Sequence, residues 1–268
     1  MDRLLPQCRQ AQAELIVARP AADATTEPEP AFEGGRLVRC RPAATIPEVR
    51  GTALAAATGD WVLLTEDNCL AHPDWVAALS AACSAAVDVT GGLMVNAQDA
   101  RAIDAAAGFA EYGHYGPLQP AGTVPALACA NVAYHRRVLA EVAAGSLAGE
   151  WENEIHARLA RQGARFLLVT DAVVEPSLQH RLGAFCRNRY RHGRGYASAR
   201  SDHLAAITRL LLACATPLLP VALTWRIWRR AGRAAPRDFV RALPFTLTFL
   251  AAWSAGEAAG YVRPGTAA

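Results

Sequence analysis

The sequence contains no lysine. All 27 basic residues are arginines, so the formal net charge of +3 rests on guanidinium groups alone. The plain account is genomic base composition, since alanine is abundant. A guanidinium nonetheless grips phosphate oxygens in a bidentate way that an ammonium does not. Charge of either sign is also scarce, at 19% of residues against 52% hydrophobic, which is oily for a purely soluble enzyme. The seven cysteines show no CxxC or zinc-ligand spacing, which argues against a disulfide framework or a metal knuckle. Cys69, Cys83, Cys129 and Cys214 sit in apolar contexts and read as core residues of a reducing compartment. The first twenty residues hold no continuous apolar run of signal-peptide type, which favours a cytoplasmic catalytic portion. No HExxH arrangement is present, and no short-period repeat or long low-complexity tract.

What is present falls into three regions. Residues 1 to about 200 alternate short apolar runs with helical patterns, and two apolar stretches at 204–225 and 239–262 follow, joined by an arginine-rich linker. In the first region, 1–13 reads as a helix, 14–18 (ELIVA) and 37–40 (LVRC) as strands, and 21–30 as a loop. Pro47 marks a helix start, Gly59-Asp60 a turn into the apolar strand 61–65 (WVLLT), Pro73 a second helix running to about 86, and 87–94 another strand. Strands alternating with helices predict an α/β fold with a mostly parallel sheet covered on both faces. Ligands then gather at the carboxyl ends of the strands.

Three polar clusters follow from that rule. Glu66-Asp67-Asn68 comes directly after the strand at 61–65, and three oxygen-bearing side chains there suit a hard divalent cation that would neutralise a diphosphate. A strand-end turn capping the next helix is the plainer account. Glu150, Glu152 and Glu154 lie in GEWENEIHARLARQG, whose spacing puts Glu152 and His156 on one helical face and Ile155 and Leu159 on another. A carboxylate there can act as a general base toward a hydroxyl; ordinary acidic enrichment of a first helical turn is the competing account. The third cluster is basic: Arg181, then Arg187, Arg189, Arg191 and Arg194 interleaved with Tyr190, Gly193 and Tyr196. It suits a diphosphate or anionic headgroups, or a solvated helix face, and the modest net charge argues against nucleic acid.

Taken in order, IPEVRGTALAAATGDWVLLTEDN, HPDWVAAL, VTGGLMVN, ACANVAYHRRVL, GEWENEIHARLARQGARFLLV and RNRYRHGRGYA resemble the family 2 glycosyltransferases of GT-A fold over roughly residues 14–200. The resemblance implies an inverting transfer from a nucleotide-diphosphate sugar to a hydroxyl acceptor, a glycan or a lipid-linked one, with Mg or Mn as cofactor. It puts Glu66, Asp67 and Asn68 in the place of the family's DxD, written here Glu-Asp-Asn. Glu152 falls where the family has its general base, with Asn131 and Glu154 on the acceptor side. Cys186 to Tyr190 looks like the family's QxxRW, which makes Arg189, Tyr190 and Arg194 the donor-diphosphate residues. His72, Asp74 and Trp75 read as shaping the helix after the metal loop. Two departures stand out. The family's first strand would precede Met1, so the chain reads as N-terminally shortened. Arg19 and Pro20 also stand where an acidic pair is expected, with only Asp23 nearby.

The apolar tail completes the expectation. The stretch at 204–225 is of spanning length but holds Arg209, Pro217 and Pro220, and 244–261 includes Glu257. Arg226, Arg229, Arg230, Arg233, Arg237 and Arg241 in the linker, and the arginine-rich segment before the first stretch, both belong on the cytoplasmic side. Charge therefore favours a re-entrant hairpin or two helices lying on the cell membrane, beside two full spans or a buried soluble hairpin as other arrangements. The sequence divides at about residue 200 into a catalytic domain, cytoplasmic in location, and this membrane-associated pair. The rival reading is a non-catalytic, membrane-attached relative that binds a partner or glycan.

Overall fold

In this computed structural model the described residues are 3–21, 35–177, 179–201 and 204–264. Asp23 and nearly all of the expected loop at 21–30 lie outside them. In chain order the elements are α1 (Leu4–Gln10), β1 (Ile16–Pro20), β2 (Arg36–Cys40), α2 (Ile46–Ala56), β3 (Trp61–Leu64), β4 (Cys69–Ala71), α3 (Trp75–Ala82), β5 (Val89–Met94) and α4 (Ala102–Tyr112). There follow β6 (Gly122–Thr123), β7 (Val132–His135), α5 (Arg136–Leu147), α6 (Glu152–Arg161), β8 (Phe166–Pro176), α7 (Leu182–Ser201), α8 (Ala206–Ala215), α9 (Leu219–Arg230) and α10 (Pro236–Val262). They form two compact units: Met1–Met94 with Pro120–Glu175, and Val95–Gln119 with Pro176–Ala268. Composition put the division at residue 200; in the fold α4 and α7 group with the apolar helices instead.

The first unit is the α/β body. Its main sheet has the order β3-β7-β5-β8-β4, with β6 added beside β8, while β1 and β2 pair in parallel as a separate two-stranded sheet. The α/β class with helices flanking a sheet is as expected, but the strand directions are mixed rather than mostly parallel. β7 runs antiparallel to both β3 and β5, β6 runs antiparallel to β8, and β5 and β8 are parallel. The physical reason is the insertion of β7 between β3 and β5, a non-local pairing that strand-helix alternation does not encode. β5 is buried at all six positions, the sign of a central strand. Its Gly92 permits the close approach of β8, since a Cβ there would lie 1.7 Å from the Ala172 carbonyl oxygen.

Local chemistry sets the helix starts. The Thr45 side chain accepts from the Glu48 amide, and the Glu48 carboxylate accepts from the Thr45 amide, a reciprocal cap with Pro47 in the first turn of α2. Arg41 donates to Glu48, and these bonds hold that carboxyl down at about 2.

The second unit is helical. Its core joins Ala106, Phe109, Phe185, Ile227, Phe239, Phe249 and Leu250, with Phe185 and Phe249 edge-to-face at 4.5 Å. α7 and α10 pack backbone to backbone: a Cβ on Gly193 would come within 2.2 Å of the Trp253 carbonyl oxygen. α8 and α9 continue through a 3-10 turn, so that Ala206–Arg230 and Pro236–Val262 are each long and apolar enough to cross a membrane.

Candidate active site

The acidic turn and the start of α6 meet, and an arginine that the sequence reading passed over joins them. Arg50 lies one turn into α2, whose capped start fixes its direction. Its Nη2 donates to Glu66 Oε1 and its Nη1 donates to Glu152 Oε2 at 3.0 Å. Glu66 sits two residues beyond β3, and Glu152 is the first residue of α6. The three side chains are 12%, 18% and 30% exposed, so the pairs are largely withdrawn from water. The Trp151 ring lies 5.8 Å from the guanidinium carbon. A narrow cleft beside them is lined by Leu54, Leu64, Cys129, Tyr134 and Ile155.

Burial works against the charge of Arg50, and the neighbouring Cys129, Glu152 and Glu66 side chains more than offset it, holding the guanidinium above the usual arginine range. Burial pushes the Cys129 thiol up to about 12, which makes it a poor nucleophile, and drives Tyr134 well above an ordinary phenol. Tyr134 Oη and His156 Nε2 share a hydrogen bond of 2.8 Å, and burial lowers His156 to about 4, so the imidazole is neutral. His156 is fully buried while Glu152 is half-buried, so the helical face they share points inward at His156 and toward the cleft at Glu152.

Asp67 is exposed beside this cluster, and Asn68 is half-buried with its Oδ1 accepting from Cys69 Sγ at 3.3 Å. Among the described residues no group of three His, Cys, Asp or Glu side chains forms a ready-made metal cage. A Mg-type ion does not require one, because it is commonly held by one or two carboxylates together with substrate phosphates. Glu66, Asp67, Glu152 and Arg50 together carry a net charge of −2, three carboxylates less one guanidinium. That balance repels a diphosphate and admits a cation. Of these carboxylates Asp67 would be the one to hold a metal, while that of Glu66 is already paired with Arg50.

Two expected acceptor-side residues have structural partners in the fold. Asn131 is fully buried; its Nδ2 donates to the carbonyls of Leu93 at 3.0 Å and Ala172 at 2.9 Å, and its Oδ1 accepts from Trp75 Nε1 at 2.8 Å. It ties β7 to β5, β8 and α3, and an acceptor has no access to it. Glu154 accepts from the Trp151 amide at 3.0 Å and so caps its own helix. Glu150 pairs with Arg158 at 2.6 Å.

The three expected donor-phosphate residues lie on α7 in the second unit. Arg189 is buried, with Nη1 3.5 Å from Glu111 Oε1 and its guanidinium 4.5 Å from the Trp253 ring centre. Burial pulls it below the usual arginine range, partly offset by Glu111. Tyr190 and Arg194 are exposed on the same helix.

A signal for Arg50 was present in the sequence: beyond the capping Glu48, it is the one charge in VRGTALAAA, otherwise made of small and apolar residues. A lone charge on such a helix needs a partner where the helix is buried. Which partner it takes is a tertiary fact.

No protein family's sequence profile matches the chain, and no curated protein matches it in sequence. Among solved structures it is similar to the mannosyltransferase PcManGT from Pyrobaculum calidifontis in complex with GDP-Man and Mn2+, at 17% identity and a TM-score of 0.46, covering 84% of this chain and 70% of that one. Likeness at that level assigns neither ligand nor activity to this chain.

Proposed function

We propose that the chain transfers a sugar from a nucleotide-diphosphate donor to a hydroxyl acceptor, with inversion at the anomeric carbon. The observation that carries this reading is the convergence of Glu66 and Glu152 on Arg50, which sets the acidic turn after β3 beside the opening of α6. Those are the two segments that the resemblance assigns to donor phosphates and to the general base. Glu152 takes the acceptor hydroxyl proton, the freed oxygen bonds to the anomeric carbon, and the bond from that carbon to the diphosphate oxygen breaks as the nucleoside diphosphate leaves. Arg50, bonded to Glu152 Oε2, fixes the rotamer of that carboxylate. A Mg or Mn ion shared between Asp67 and the donor phosphates would offset the negative charge of the leaving group. The acceptor class is a glycan or a lipid-linked hydroxyl, and the catalytic unit works on the cytoplasmic side of the cell membrane.

Equilibrium binding of a panel of nucleotide-diphosphate sugars, with Mn and then with chelator, tests the proposal. One donor should bind only with metal, and Asp67→Ala should abolish that binding; Glu152→Gln should keep the binding and lose transfer. A second reading, a non-catalytic glycan- or partner-binding relative, is favoured by one observation: Arg50 already pairs with both carboxylates. Folded protein that binds no donor under either condition decides for that second reading.

A further inference from the structure

The helix formed by α8 and α9 presents a one-sided apolar surface that the rest of its unit leaves uncovered. Ile207, Leu210, Leu211, Leu218, Val221 and Trp225 are 55–71% exposed, and Ile207, Leu211, Leu218 and Trp225 recur at four or seven residues. Only 6% of the most apolar window of Ala206–Arg230 is buried, although its mean hydropathy is 1.8. From Ile207 to Trp225 the one charged residue is Arg209, which is half-buried, and the stretch runs for roughly 27 Å at 1.5 Å per residue. At its end Trp225 is followed by exposed Arg226, Arg229 and Arg233. An aromatic ring and then guanidinium groups at the end of an apolar stripe match the order in which a bilayer passes from acyl chains to anionic headgroups.

The same unit argues against a transmembrane arrangement. The C-terminal half of α10 is covered by α7: Phe185 meets Phe249, Arg189 lies over Trp253, and Gly193 and Gly256 bring the two backbones together. α7 exposes Arg187, Arg191, Arg194 and Arg200. Carrying α10 across a bilayer would therefore carry that row of arginines into hydrocarbon. Glu257 is already satisfied within the protein, accepting from Trp253 Nε1 at 2.9 Å and from the Tyr261 hydroxyl at 3.2 Å. α10 is thus fitted to a protein neighbour on one side for half its length.

We propose that the chain is monotopic: α8 and α9 lie in the plane of an anionic bilayer, with the Ile207–Trp225 stripe among the acyl chains and Arg226, Arg229 and Arg233 at the headgroups. This placement is independent of the sugar-transfer reading, and binding to lipid is measured without any donor.

The test uses the full chain with vesicles of phosphatidylcholine, alone or mixed with phosphatidylglycerol. Cys214, exposed on the same helix, is labelled with a fluorophore that reports apolar surroundings. The expected result is flotation with the mixed vesicles, a blue-shifted label, and weaker binding to phosphatidylcholine alone or at high salt. Leu211→Asp with Leu218→Asp should lower the bound fraction roughly tenfold or more. Circular dichroism and an unchanged elution volume of the double variant would show that it is folded. Side of access is read by Arg233→Cys combined with Cys214→Ser in sealed vesicles: an impermeant maleimide added on the face that carries the first unit should label position 233. Protection from that face would mean that Ala206–Arg230 crosses the bilayer and would overturn the proposal. Binding unaffected by the double variant, or a stripe covered by a second copy of the chain with no flotation, would overturn it as well.

Discussion

Each unit buries one arginine against a tryptophan, and the two arginines are balanced differently. Arg50 faces the Trp151 ring and is bonded to two carboxylates; Arg189 faces the Trp253 ring more closely, at 4.5 Å, and has one carboxylate at 3.5 Å. Each has a buried Nε without a partner among the described residues. Both lose hydration; the partners of Arg50 more than offset that loss, whereas Glu111 offsets it only in part for Arg189. The difference teaches what each is suited to. Arg50 is over-compensated and works as an internal clamp that holds Glu66 and Glu152 together. Arg189 is under-compensated, and its ring contact and single distant pair leave it the more weakly held of the two.

Removing each cation would test that contrast most sharply. Arg50→Met removes the guanidinium that Glu66 and Glu152 share, at 18% and 30% exposure. Breaking a buried pair on one side costs about 3–5 kcal/mol, and here two pairs break at once. The expected outcome is the largest destabilisation of any single exchange in this set. Because the chain has two units, it is best read by hydrogen exchange in α2 and α6 rather than from one global transition. A loss under about 1 kcal/mol there would mean that the carboxylates rehydrate freely and that Arg50 clamps nothing.

Acid should break the first unit in a second way. His156 is buried and neutral, with its proton affinity lowered from 6.5 to about 4 by burial. The unfolded chain therefore binds the proton that the folded chain refuses. The contribution is complete above pH 6.5 and is lost as pH falls through 6.5 toward 4, a span worth about 3 kcal/mol. Urea midpoints across that range should fall steeply for the parent chain. They should fall less for His156→Leu, which has no imidazole to protonate. Equal slopes for the two would show that other groups govern the acid response.

The contrast between the units also explains what could be read ahead of the structure. β3 at Trp61–Leu64, β5 at Val89–Met94 and the start of α2 at Pro47 follow from local apolar runs and a capping pattern, and the sequence carries them within a few residues. β4 at Cys69–Ala71 was missed because three residues straight after a polar turn leave no periodicity to detect. Mixed strand direction was hidden because β7 enters between β3 and β5 from about 70 residues downstream of β3, and pairing partners are set by tertiary packing. For the site, the acidic turn and Glu152 were legible as clusters. Asn131 and Glu154 have structural uses that were not legible, because an amide used as a staple and a carboxylate used as a cap look like functional residues in one dimension. Arg50 was overlooked because its meaning depends on Glu66 and Glu152, 16 and 102 residues away.

Arg189→Met should be milder than its counterpart on α2. Glu111 is 24% exposed and its bond to Arg189 is long, so the carboxylate can recover water when the guanidinium goes. The methionine side chain keeps part of the contact with Trp253. About 2 kcal/mol is expected, confined to α7 and α10 in hydrogen exchange. A loss matching that of Arg50→Met would show that the two sites are energetically alike.

The smallest effect belongs to His114, the second unit's counterpart of His156. Burial, then Arg226, Arg230 and Arg189, lower it to about 4. Its sign is the same, with stability whole above pH 6.5 and lost toward pH 4. Part of the shift comes from neighbouring arginines rather than from burial, and the side chain is only half-buried by surface area. Water screens such repulsion, so about 1 kcal/mol of acid sensitivity is expected, less than for His156. Added salt separates the two causes, because screening weakens the arginine contribution and leaves desolvation nearly untouched. The acid response removed by His114→Leu should shrink in high salt, while that removed by His156→Leu stays constant. If both respond alike to salt, the imidazoles are held neutral by the same force, and the two units differ less in their electrostatics than the arginine pairs imply.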